Sequence, residues 1–411
     1  MNGLRQAVVL SGGGAYGAFE VGVMKALAEG KSPATGRTVL DPEIITGTSA
    51  GAFNAAVLLS QENPDPPAAV AHLEKIWLED IASSSQKPDN GVYRFRADPR
   101  YYLDPVFVAT HPVRPFVDLA EDTSFFARDW FRRAMHFLVA SESLERRSLE
   151  LVDLSTLIST EPFRELVHEK VKLGSLRKTG KILRIAATNW ETGELSIYKN
   201  DDMTEEKGRL AVLASAAIPG IFPPVKIDGA PHVDGGVLMN TPLKPAIDAG
   251  ADTLHIIFLN PDVRQIPLER IPNTLDVMER LMTIANAGRL DLDIANAAAI
   301  NRGIEVIDEI DSREGSTREN SIRFLRAARK IREGLERGSP YRQLTIHRYH
   351  PKHDLGGIFG MLNFSRERIE RMIEDGYRDA TEHDCEARGC ILAAPGAGEA
   401  AGRALLSPSE S

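Results

Sequence analysis

The sequence predicts an α/β fold with three layers, in which helices cover both faces of a mostly parallel central sheet. One observation is a short apolar run, residues 6–10, which ends at three consecutive glycines, as expected of a buried parallel strand. Another is a helical pattern over 17–27, followed by a polar connection and a second apolar strand near Ile44. The third is a run of small and apolar residues, 52–59, typical of a buried helix. Strand, helix, strand and helix in this order indicate a right-handed βαβ unit.

Later segments extend this unit. We expect a strand pair at 183–188 and 195–198, a helix over 210–217, a hairpin around Asp228-Gly229, a buried strand over 254–259, a long helix over 273–302, a charged helix over 318–335, an edge strand over 344–350 and an amphipathic helix over 365–380.

The chain is expected to form one domain over residues 1–390. Its core would cover about 5–260, with a proline-interrupted insertion at about 83–147 and a C-terminal helical part at about 270–385. Residues 391–411 are rich in Ala, Gly and Ser and are expected to be a disordered tail.

Composition and charge narrow the function classes. The chain has 411 residues, of which 43% are hydrophobic and 26% charged, as is ordinary for a globular protein. Its net charge of −9 argues against nucleic acid as a partner. The chain begins without the apolar segment of a signal peptide, and no stretch approaches a membrane-spanning helix. With only Cys385 and Cys390 there is no disulfide framework, so we expect a cytoplasmic protein, peripheral at membranes where it meets lipid.

The pentapeptide Gly47-Thr48-Ser49-Ala50-Gly51 lies between the second strand and the second helix. In this setting Gly-x-Ser-x-Gly is the nucleophile-elbow pattern, because Gly47 and Gly51 leave room for a sharp turn that presents the Ser49 hydroxyl. Glycine-serine turns are also common in loops. The pattern therefore needs a base and an oxyanion site to identify Ser49 as a nucleophile.

A second glycine-rich segment, Gly12-Gly13-Gly14-Ala15-Tyr16-Gly17, joins the first strand to the first helix. Its backbone N–H groups can converge at the positive end of a helix dipole, which suits a phosphate or a developing oxyanion. A dinucleotide-binding loop would require an acidic residue at the end of the second strand, where Ser49 and its neighbours stand instead. A tight packing turn is the simpler alternative. An oxyanion hole is favoured because neighbouring parallel strands end at the same edge of the sheet.

A serine nucleophile also needs a base. Asp234 precedes Gly235 and Gly236 at a predicted strand end and is the most suggestive acid, although a turn aspartate has the same pattern. His232 projects to the same face of an extended strand and is an alternative base. Substitution of either residue would separate the two hypotheses.

The remaining histidines and cysteines are given no catalytic role. His347, His350 and His353 lie in a polar, strand-like stretch and are interpreted as surface residues. His383 with the two cysteines would supply only three metal ligands near a flexible end. We therefore expect a metal-free site without a cofactor.

Four segments occur in the order found in patatin-like phospholipases, and the chain resembles that family over about residues 5–260. Two are the glycine-rich loop and the serine pentapeptide described above. The others are Ala214-Ser215-Ala216-Ala217-Ile218-Pro219-Gly220-Ile221-Phe222-Pro223-Pro224 and Asp234-Gly235-Gly236. The stretch from Asn363-Phe364-Ser365 to Gly376-Tyr377 is similar to the helix that closes such domains.

The resemblance implies a serine lipid acyl hydrolase, of phospholipase or esterase type, with a Ser-Asp dyad. By position, Ser49 is the nucleophile and Asp234 the base. The oxyanion donors are Gly12, Gly13 and Gly14, and the supporting motif glycines are Gly17, Gly47, Gly51, Gly235 and Gly236. The substrate would be a lipid or other ester, met at a membrane or micelle surface.

One departure from the family pattern bears on the substrate. Tyr16 stands where the family often has Arg or Lys, which removes a charge suited to an anionic head group. A non-catalytic or partner-regulated protein on the same scaffold, and a nucleotide-binding oxidoreductase, are the competing hypotheses. The sequence leaves head group, acyl length and oligomeric state open.

Residues 125–138 have the character of an interfacial helix. At helical spacing, one side holds Arg128, Asp129, Arg132, Arg133 and His136, and the other holds Phe126, Trp130, Phe131, Ala134, Phe137 and Leu138. The alternative is a lid or insertion helix that packs on the core.

Overall fold

The computed structural model describes residues 4–61, 65–84, 90–96, 113–139, 158–259, 274–312, 343–353 and 355–393. The strands in these ranges are β1 Gln6–Leu10, β2 Ile44–Thr48, β3 Arg94–Phe95, β4 Ile158–Ser159, β5 Ile182–Asn189, β6 Leu195–Lys199, β7 Val225–Ile227, β8 Ala230–Asp234, β9 Thr253–Ile257 and β10 Thr345–Tyr349.

The α-helices in the same ranges are α1 Gly17–Ala28, α2 Ala50–Leu59, α3 Pro66–Lys75, α4 Arg114–Val139, α5 Glu161–Lys170, α6 Leu173–Thr179, α7 Glu205–Ser215, α8 Leu243–Asp248, α9 Thr274–Ser312, α10 Gly357–Met361 and α11 Arg366–Thr381. A π-helical turn, Ile76–Ile81, continues α3.

The central sheet has the order β10-β9-β1-β2-β5-β8-β7, and β6 also pairs with β5. The pairs from β10 to β5 are parallel, whereas β6 and β8 run antiparallel to β5, and β7 antiparallel to β8. The predicted mostly parallel sheet is confirmed, with the βαβ unit at its centre. Since β1 and β2 are neighbours, the glycine loop and the serine turn lie at the same edge of the sheet.

Alternate residues of β1 enter two separate apolar cores, one on each face of the sheet. Val8 and Leu10 pack with α1, α2 and α3, whereas Ala7 and Val9 pack with α8 and α9. The period of two along the strand therefore places helices on both faces. This arrangement confirms the predicted three-layer α/β/α class.

The helix that was expected to close the domain, α11, packs directly on α1. A Cβ added to Gly22 would lie 1.9 Å from the Ile373 carbonyl oxygen, and one added to Gly376 would lie 2.1 Å from the Phe19 carbonyl oxygen. Two glycines thus let the helix backbones approach at the point where they cross. The C-terminal part of the chain supports the helix that follows the glycine loop.

Two predicted boundaries differ from the structure. The helix expected over 210–217 begins at Glu205, because Thr204 Oγ1 accepts the Lys207 N–H and caps a polar first turn. The helix expected over 273–302 continues to Ser312, since α9 passes through Gly303 and buries Ile304 in the next turn. The charged helix predicted over 318–335 lies outside the described residues.

The domain boundaries stay a prediction, and the part of the expected tail beyond residue 393 is likewise outside the described residues. Within the ranges that the structure describes, none of the helices is both long enough and apolar enough to cross a membrane.

Candidate active site

Ser49 lies in the turn between β2 and α2. Its backbone has φ 54° and ψ −123°, a conformation that residues with a side chain rarely adopt. The turn leaves no room for side chains around it. A Cβ added to Gly47 would lie 2.4 Å from the Gly51 carbonyl oxygen, and one added to Gly51 would lie 2.6 Å from the carbonyl group of Leu10. Ser49 itself is 4% exposed and forms part of the wall of an apolar pocket.

The strained turn is held by Ser215, at the end of α7. The Ser49 backbone N–H donates to Ser215 Oγ at 2.8 Å, and Ser215 Oγ donates to the Ala186 carbonyl oxygen at 2.6 Å. These groups are buried, so water does not compete for either bond. Ser215 therefore couples the serine turn to β5. Sequence analysis included Ser215 in a family segment but gave it no role.

Asp234 ends β8, and its carboxylate accepts a hydrogen bond from the Gly236 backbone N–H at 2.7 Å. Burial raises the pKa of Asp234 from its ordinary value of 3.8 to about 7, and the Gly236 N–H and the neighbouring Ser49 hydroxyl oppose the rise. A carboxyl with this pKa is a suitable proton acceptor for a hydroxyl at neutral pH.

The register of the sheet brings Ser49 and Asp234 together. Thr48 pairs with Ala186 of β5 in the parallel direction, and Asp234 pairs with Ala187 in the antiparallel direction. Because Ser49 directly follows Thr48, the serine turn and Asp234 flank β5 from opposite sides at neighbouring residues of that strand. Both therefore lie at the same edge of the sheet.

The glycine loop lies on the other side of Ser49. A Cβ added to Gly12 would lie 3.0 Å from Ser49 Cβ, so the loop backbone runs directly beside the serine. The Gly12 N–H donates to the Asn240 carbonyl oxygen at 3.0 Å, and the Asn240 side-chain amide donates to the Gly12 carbonyl oxygen at 3.1 Å. Because the Gly12 N–H already donates to Asn240, it is not available to an oxyanion, which conflicts with its expected role as an oxyanion donor. Gly13 and Gly14 supply the next two amides, and Gly14 lines the pocket.

The remaining motif glycines are sites of close packing. A Cβ added to Gly17 would lie 2.8 Å from Ala50 Cβ, at the contact between α1 and α2. One added to Gly235 would lie 2.4 Å from the Ala186 carbonyl oxygen, where the turn after Asp234 passes over β5. Gly236 supplies the N–H that the aspartate accepts.

Glu20 of α1 is a buried acid that sequence analysis missed. Asn54 Nδ2 donates to Glu20 Oε2 at 2.8 Å, and Trp77 Nε1 donates to Asn54 Oδ1 at 2.8 Å. Burial raises the pKa of Glu20 well above its ordinary value, while hydrogen bonds from Asn54 and the Ser11 backbone act to lower it. The network joins α1 to α2 and to the start of the glycine loop. Its sequence signal was an acid on the inner face of a predicted helix.

His232 lies on β8, but its ring nitrogens contact other groups than Ser49. Nε2 is 3.0 Å from the Tyr198 hydroxyl and 3.3 Å from Ser196 Oγ, and Nδ1 is 3.0 Å from the Ala230 carbonyl oxygen. The geometry therefore gives no support to His232 as the base.

Tyr16 is buried beneath the C-terminal part of the domain. Its hydroxyl donates to the Gly357 carbonyl oxygen at 2.5 Å, and the Arg368 guanidinium lies 5.8 Å from the centre of its ring. Tyr16 thus anchors the glycine loop to α10.

The pocket beside Ser49 has a largely apolar lining. Its apolar side chains include Phe53, Trp77, Ile81, Val92, Phe163, Leu213, Ile218, Phe222, Met361, Leu362 and Phe364. Apart from Ser49, the polar side chains in the lining are Thr160 and Arg164. A pocket with this lining suits a hydrocarbon chain with a reactive polar group at Ser49.

Helix α4 contains the segment that was interpreted as interfacial. Its buried Asp122 accepts two hydrogen bonds from Arg94, at 2.9 and 3.0 Å, and one from Arg96 at 3.1 Å. These bonds fix one side of the helix to β3 and the residue after it.

Several large apolar side chains of this region are exposed to solvent. They are Val113, Phe116, Val117, Leu119, Phe126 and Phe131. Of these residues, Phe126 and Phe131 belong to the segment 125–138, and its interfacial role stays a prediction. The side chains of Trp130 and residues 132–139 lie outside the described residues.

The described residues around Ser49 include no group of ligands spaced for a metal ion. Such a group does occur at β10 and the segment after α11, where His347 joins His383, Cys385 and Cys390. The interpretation of His347 as a surface residue was wrong, because this edge strand turns the imidazole inward and buries it. His353 is exposed, as expected.

Comparisons with known proteins relate the chain to a protein family and to a solved structure. A family model for patatin-like phospholipases matches residues 8–247, which is more than half of the chain. Among solved structures, the chain is similar to the crystal structure of VipD from Legionella pneumophila, with 18% sequence identity and a TM-score of 0.37. That match covers 94% of this chain and 67% of the VipD chain.

Proposed function

The chain belongs to the patatin-like phospholipase family, and on this premise we propose that it is a serine acyl hydrolase that cleaves lipid carboxylic esters through an acyl-enzyme. The observation that carries the proposal is the position of the Ser49 hydroxyl beside the buried Asp234 carboxylate, in the wall of an apolar pocket. A nucleophile next to its base and to a pocket for the substrate is the arrangement that acyl transfer requires.

In the first half-reaction, Ser49 Oγ attacks the ester carbonyl carbon while Asp234 takes the hydroxyl proton. The carbonyl oxygen becomes an oxyanion, which the N–H groups of Gly13 and Gly14 stabilise. Gly12 is left out of this role because its N–H already donates to Asn240. The bond from carbon to the alcohol oxygen then breaks, and the leaving alcohol takes the proton from Asp234.

In the second half-reaction, Asp234 takes a proton from water as the water oxygen attacks the acyl carbon. The same two amides stabilise the second oxyanion. The bond to Ser49 Oγ breaks, and Asp234 returns its proton to the serine, so free enzyme and a carboxylic acid result. The raised pKa of Asp234 supports this alternation, because a group that titrates near 7 both accepts and donates protons at neutral pH.

The substrate class follows from the pocket and from α4. The apolar lining of the pocket favours an ester with a hydrocarbon acyl chain over a small polar ester. The exposed Phe116 and Phe131 would enter the interface of a membrane or micelle and place the pocket near its lipid. Tyr16 packs against α10 and supplies no charge that would bind a head group. The proposed substrate is therefore defined by its acyl chain and not by its head group.

A fluorophosphonate probe tests the proposal directly, because it phosphonylates an activated serine. We expect one labelled residue, identified as Ser49 by peptide mass spectrometry, and no label in Ser49→Ala. The released fatty acid should be detected after incubation with phospholipid or neutral glyceride vesicles. A folded wild-type chain that neither labels nor releases fatty acid would favour a non-catalytic, partner-regulated protein. Reduction of a nicotinamide cofactor without labelling would favour the oxidoreductase alternative.

A further inference from the structure

Four potential metal ligands converge at the edge of the sheet that is formed by β10. His347 is on this strand, and His383, Cys385 and Cys390 are in the segment after α11. Their ligand atoms, two imidazole nitrogens and two thiol sulfurs, all lie within 4.8 Å of one another. Both histidines are buried and both cysteines are partly buried. The cluster belongs to none of the segments that form the serine site.

We propose that His347, His383, Cys385 and Cys390 bind one Zn²⁺ ion in a tetrahedral Cys₂His₂ site. Bond lengths of about 2.3 Å for Zn–S and about 2.0–2.1 Å for Zn–N place sulfur and nitrogen about 3.5 Å apart in a tetrahedron. Cys385 Sγ lies 3.5 Å from His347 Nδ1, and Cys390 Sγ lies 3.3 Å from His383 Nε2. The ligand atoms are therefore spaced for a single ion of this size.

The ligand set selects the metal and its role. Two soft thiolates with two imidazoles, in tetrahedral spacing, favour zinc over the hard cations calcium and magnesium. In a two-iron cluster with the same four ligands, the cysteine pair and the histidine pair bind different irons. Here every pair of ligand atoms lies within 4.8 Å, which leaves room for one ion and not for two. Because all four positions are taken by protein, the ion has no open site for a substrate and is structural.

The surroundings hold the ligands in place. The Arg348 backbone N–H donates to Cys390 Sγ at 3.4 Å, which helps to neutralise a thiolate. The His255 ring stacks on His347 with centroids 5.0 Å apart, and the Tyr349 ring lies 4.6 Å from that of His383. These ring contacts restrict the orientations of both imidazoles.

The loop between the two cysteines brings both sulfurs to one point. The Cys390 N–H donates to the Cys385 carbonyl oxygen at 2.9 Å, and Gly389 has φ 62°, which favours glycine. Directly after Cys390, Ile391 pairs with Ile346 of β10 through backbone hydrogen bonds of 2.7 and 2.9 Å. Zinc would therefore fasten the C-terminal segment to the edge strand of the sheet.

Metal analysis of the full-length chain tests the proposal. The chain is purified in the presence of a reductant and without chelators, and zinc is measured by inductively coupled plasma mass spectrometry. We expect about one zinc per chain, and about one zinc released when an organomercurial titrates Cys385 and Cys390. Replacement by Co²⁺ should give the intense visible bands of tetrahedral cobalt and a thiolate-to-cobalt charge-transfer band.

Variants assign the ligands. Cys390→Ser and His347→Asn should lower zinc occupancy at least about tenfold after dialysis against a competing chelator. Ser49→Ala and His353→Asn, which change a remote serine and a neighbouring exposed histidine, should retain zinc. The organomercurial titration needs only the wild-type chain, so the test stands even where a ligand variant fails to fold.

Two results would overturn the proposal. One is a folded, reduced chain that contains no zinc and gives no cobalt spectrum. The other is a disulfide between Cys385 and Cys390 that persists under the reducing conditions and excludes the metal. Neither result depends on the serine chemistry, since fluorophosphonate labelling of Ser49 is measured separately on the same sample.

Discussion

The Ser49 backbone N–H donates a buried hydrogen bond of 2.8 Å to Ser215 Oγ, and Ser215 Oγ donates in turn to the Ala186 carbonyl oxygen. A residue with positive φ is thus held by a side chain from a different helix. In Ser215→Ala the Ser49 N–H would lose its partner inside the protein, at a cost of about 1–3 kcal/mol.

We therefore expect Ser215→Ala to lower the free energy of unfolding by that amount and the rate of fluorophosphonate labelling about ten- to hundredfold. The matched control is Ser60→Ala. Ser60 is also buried, and its hydroxyl also bridges two backbone groups, Lys172 N–H and Ala56 carbonyl. The control should lose stability but keep the labelling rate. Equal labelling by both variants would remove the positioning role of Ser215.

The pKa of Asp234 predicts the pH dependence of the reaction. Burial raises it to about 7, and the base must be ionised to accept the serine proton. The labelling rate of the wild-type chain should therefore rise with pH through about 7 and reach a plateau above it. Stopped-flow or gel-based labelling between pH 5 and pH 9 measures this profile. A rate that is independent of pH over this range would contradict the assignment.

Asp234→Asn should separate activity from stability. The unfolded chain loses this proton near the ordinary pKa of 3.8 and the folded chain near 7. Asp234 therefore makes its full contribution to the stability of the wild-type chain below pH 3.8. This contribution, about 4 kcal/mol in total, is lost as the pH rises through 7. At pH 8 the variant should be about 1–4 kcal/mol more stable than wild type and label about 10²–10⁴-fold more slowly. Urea unfolding and labelling measure the two effects.

The companion variant His232→Gln should change labelling less than about threefold, because the His232 ring contacts Tyr198 and Ser196 instead of the nucleophile. Loss of labelling in His232→Gln, with near-normal labelling in Asp234→Asn, would transfer the base role to the histidine.

Glu20 offers a test of the network behind the glycine loop. Burial holds its carboxyl toward the neutral form, so Glu20→Gln keeps the shape and most of the hydrogen-bonding capacity of the side chain. We expect Glu20→Gln to unfold within about 1 kcal/mol of wild type at neutral pH. Glu20→Ala should lose about 2–5 kcal/mol, since it leaves a cavity and removes the acceptor of the Asn54 amide. Thermal unfolding of the pair measures the difference, and similar losses in both variants would contradict it.

The exposed aromatic residues of α4 predict a dependence on the lipid surface. In the double variant Phe116→Ser and Phe131→Ser, side chains that are 71% and 63% exposed are replaced, so the fold should be unchanged. Fatty acid release from vesicles should fall about tenfold or more, whereas hydrolysis of a soluble p-nitrophenyl ester should stay within about twofold. Equal loss on both substrates would remove the interfacial role. Leu4→Ser, an equally exposed apolar site on a different element, serves as the control.

The parts of the fold that depend on local periodicity were predicted from the sequence. The runs that became β1, β2 and β5 are short and mostly apolar, and the amphipathic α11 repeats with a helical period. The serine turn and the turn after Asp234 were predicted because glycines mark sharp turns in sequence as well as in space, and the catalytic roles of Ser49 and Asp234 stay predictions. What the sequence did not reveal depends on contacts between distant segments. Ser215 looks like any small helical residue until it is placed beside Ser49, 166 positions away.

His347 was misread for the same reason. Along the chain it lies in a polar stretch with two other histidines, and 38 positions separate it from Cys385, with which it shares the cluster. The Gly12 amide was likewise assigned to the oxyanion because the pattern could not show its hydrogen bond to Asn240. Pairings of this kind are set by tertiary structure, which no local pattern contains.

Strand β5 acts as a spacer between the two proposed reacting groups. Two strand-to-strand steps, about 9–10 Å in all, separate the backbone of β2 at Thr48 from that of β8 at Asp234, with Ala186 and Ala187 of β5 between them. A one-residue insertion in β5 would slip the pairing with β8 and turn the carboxylate to the opposite face of the sheet. The spacing between Ser49 and Asp234 is therefore set by β5, whose residues Ala186 and Ala187 take no part in the proposed chemistry. Homologues that differ in the length of β5 would be expected to lose the dyad while they retain every residue of its motifs.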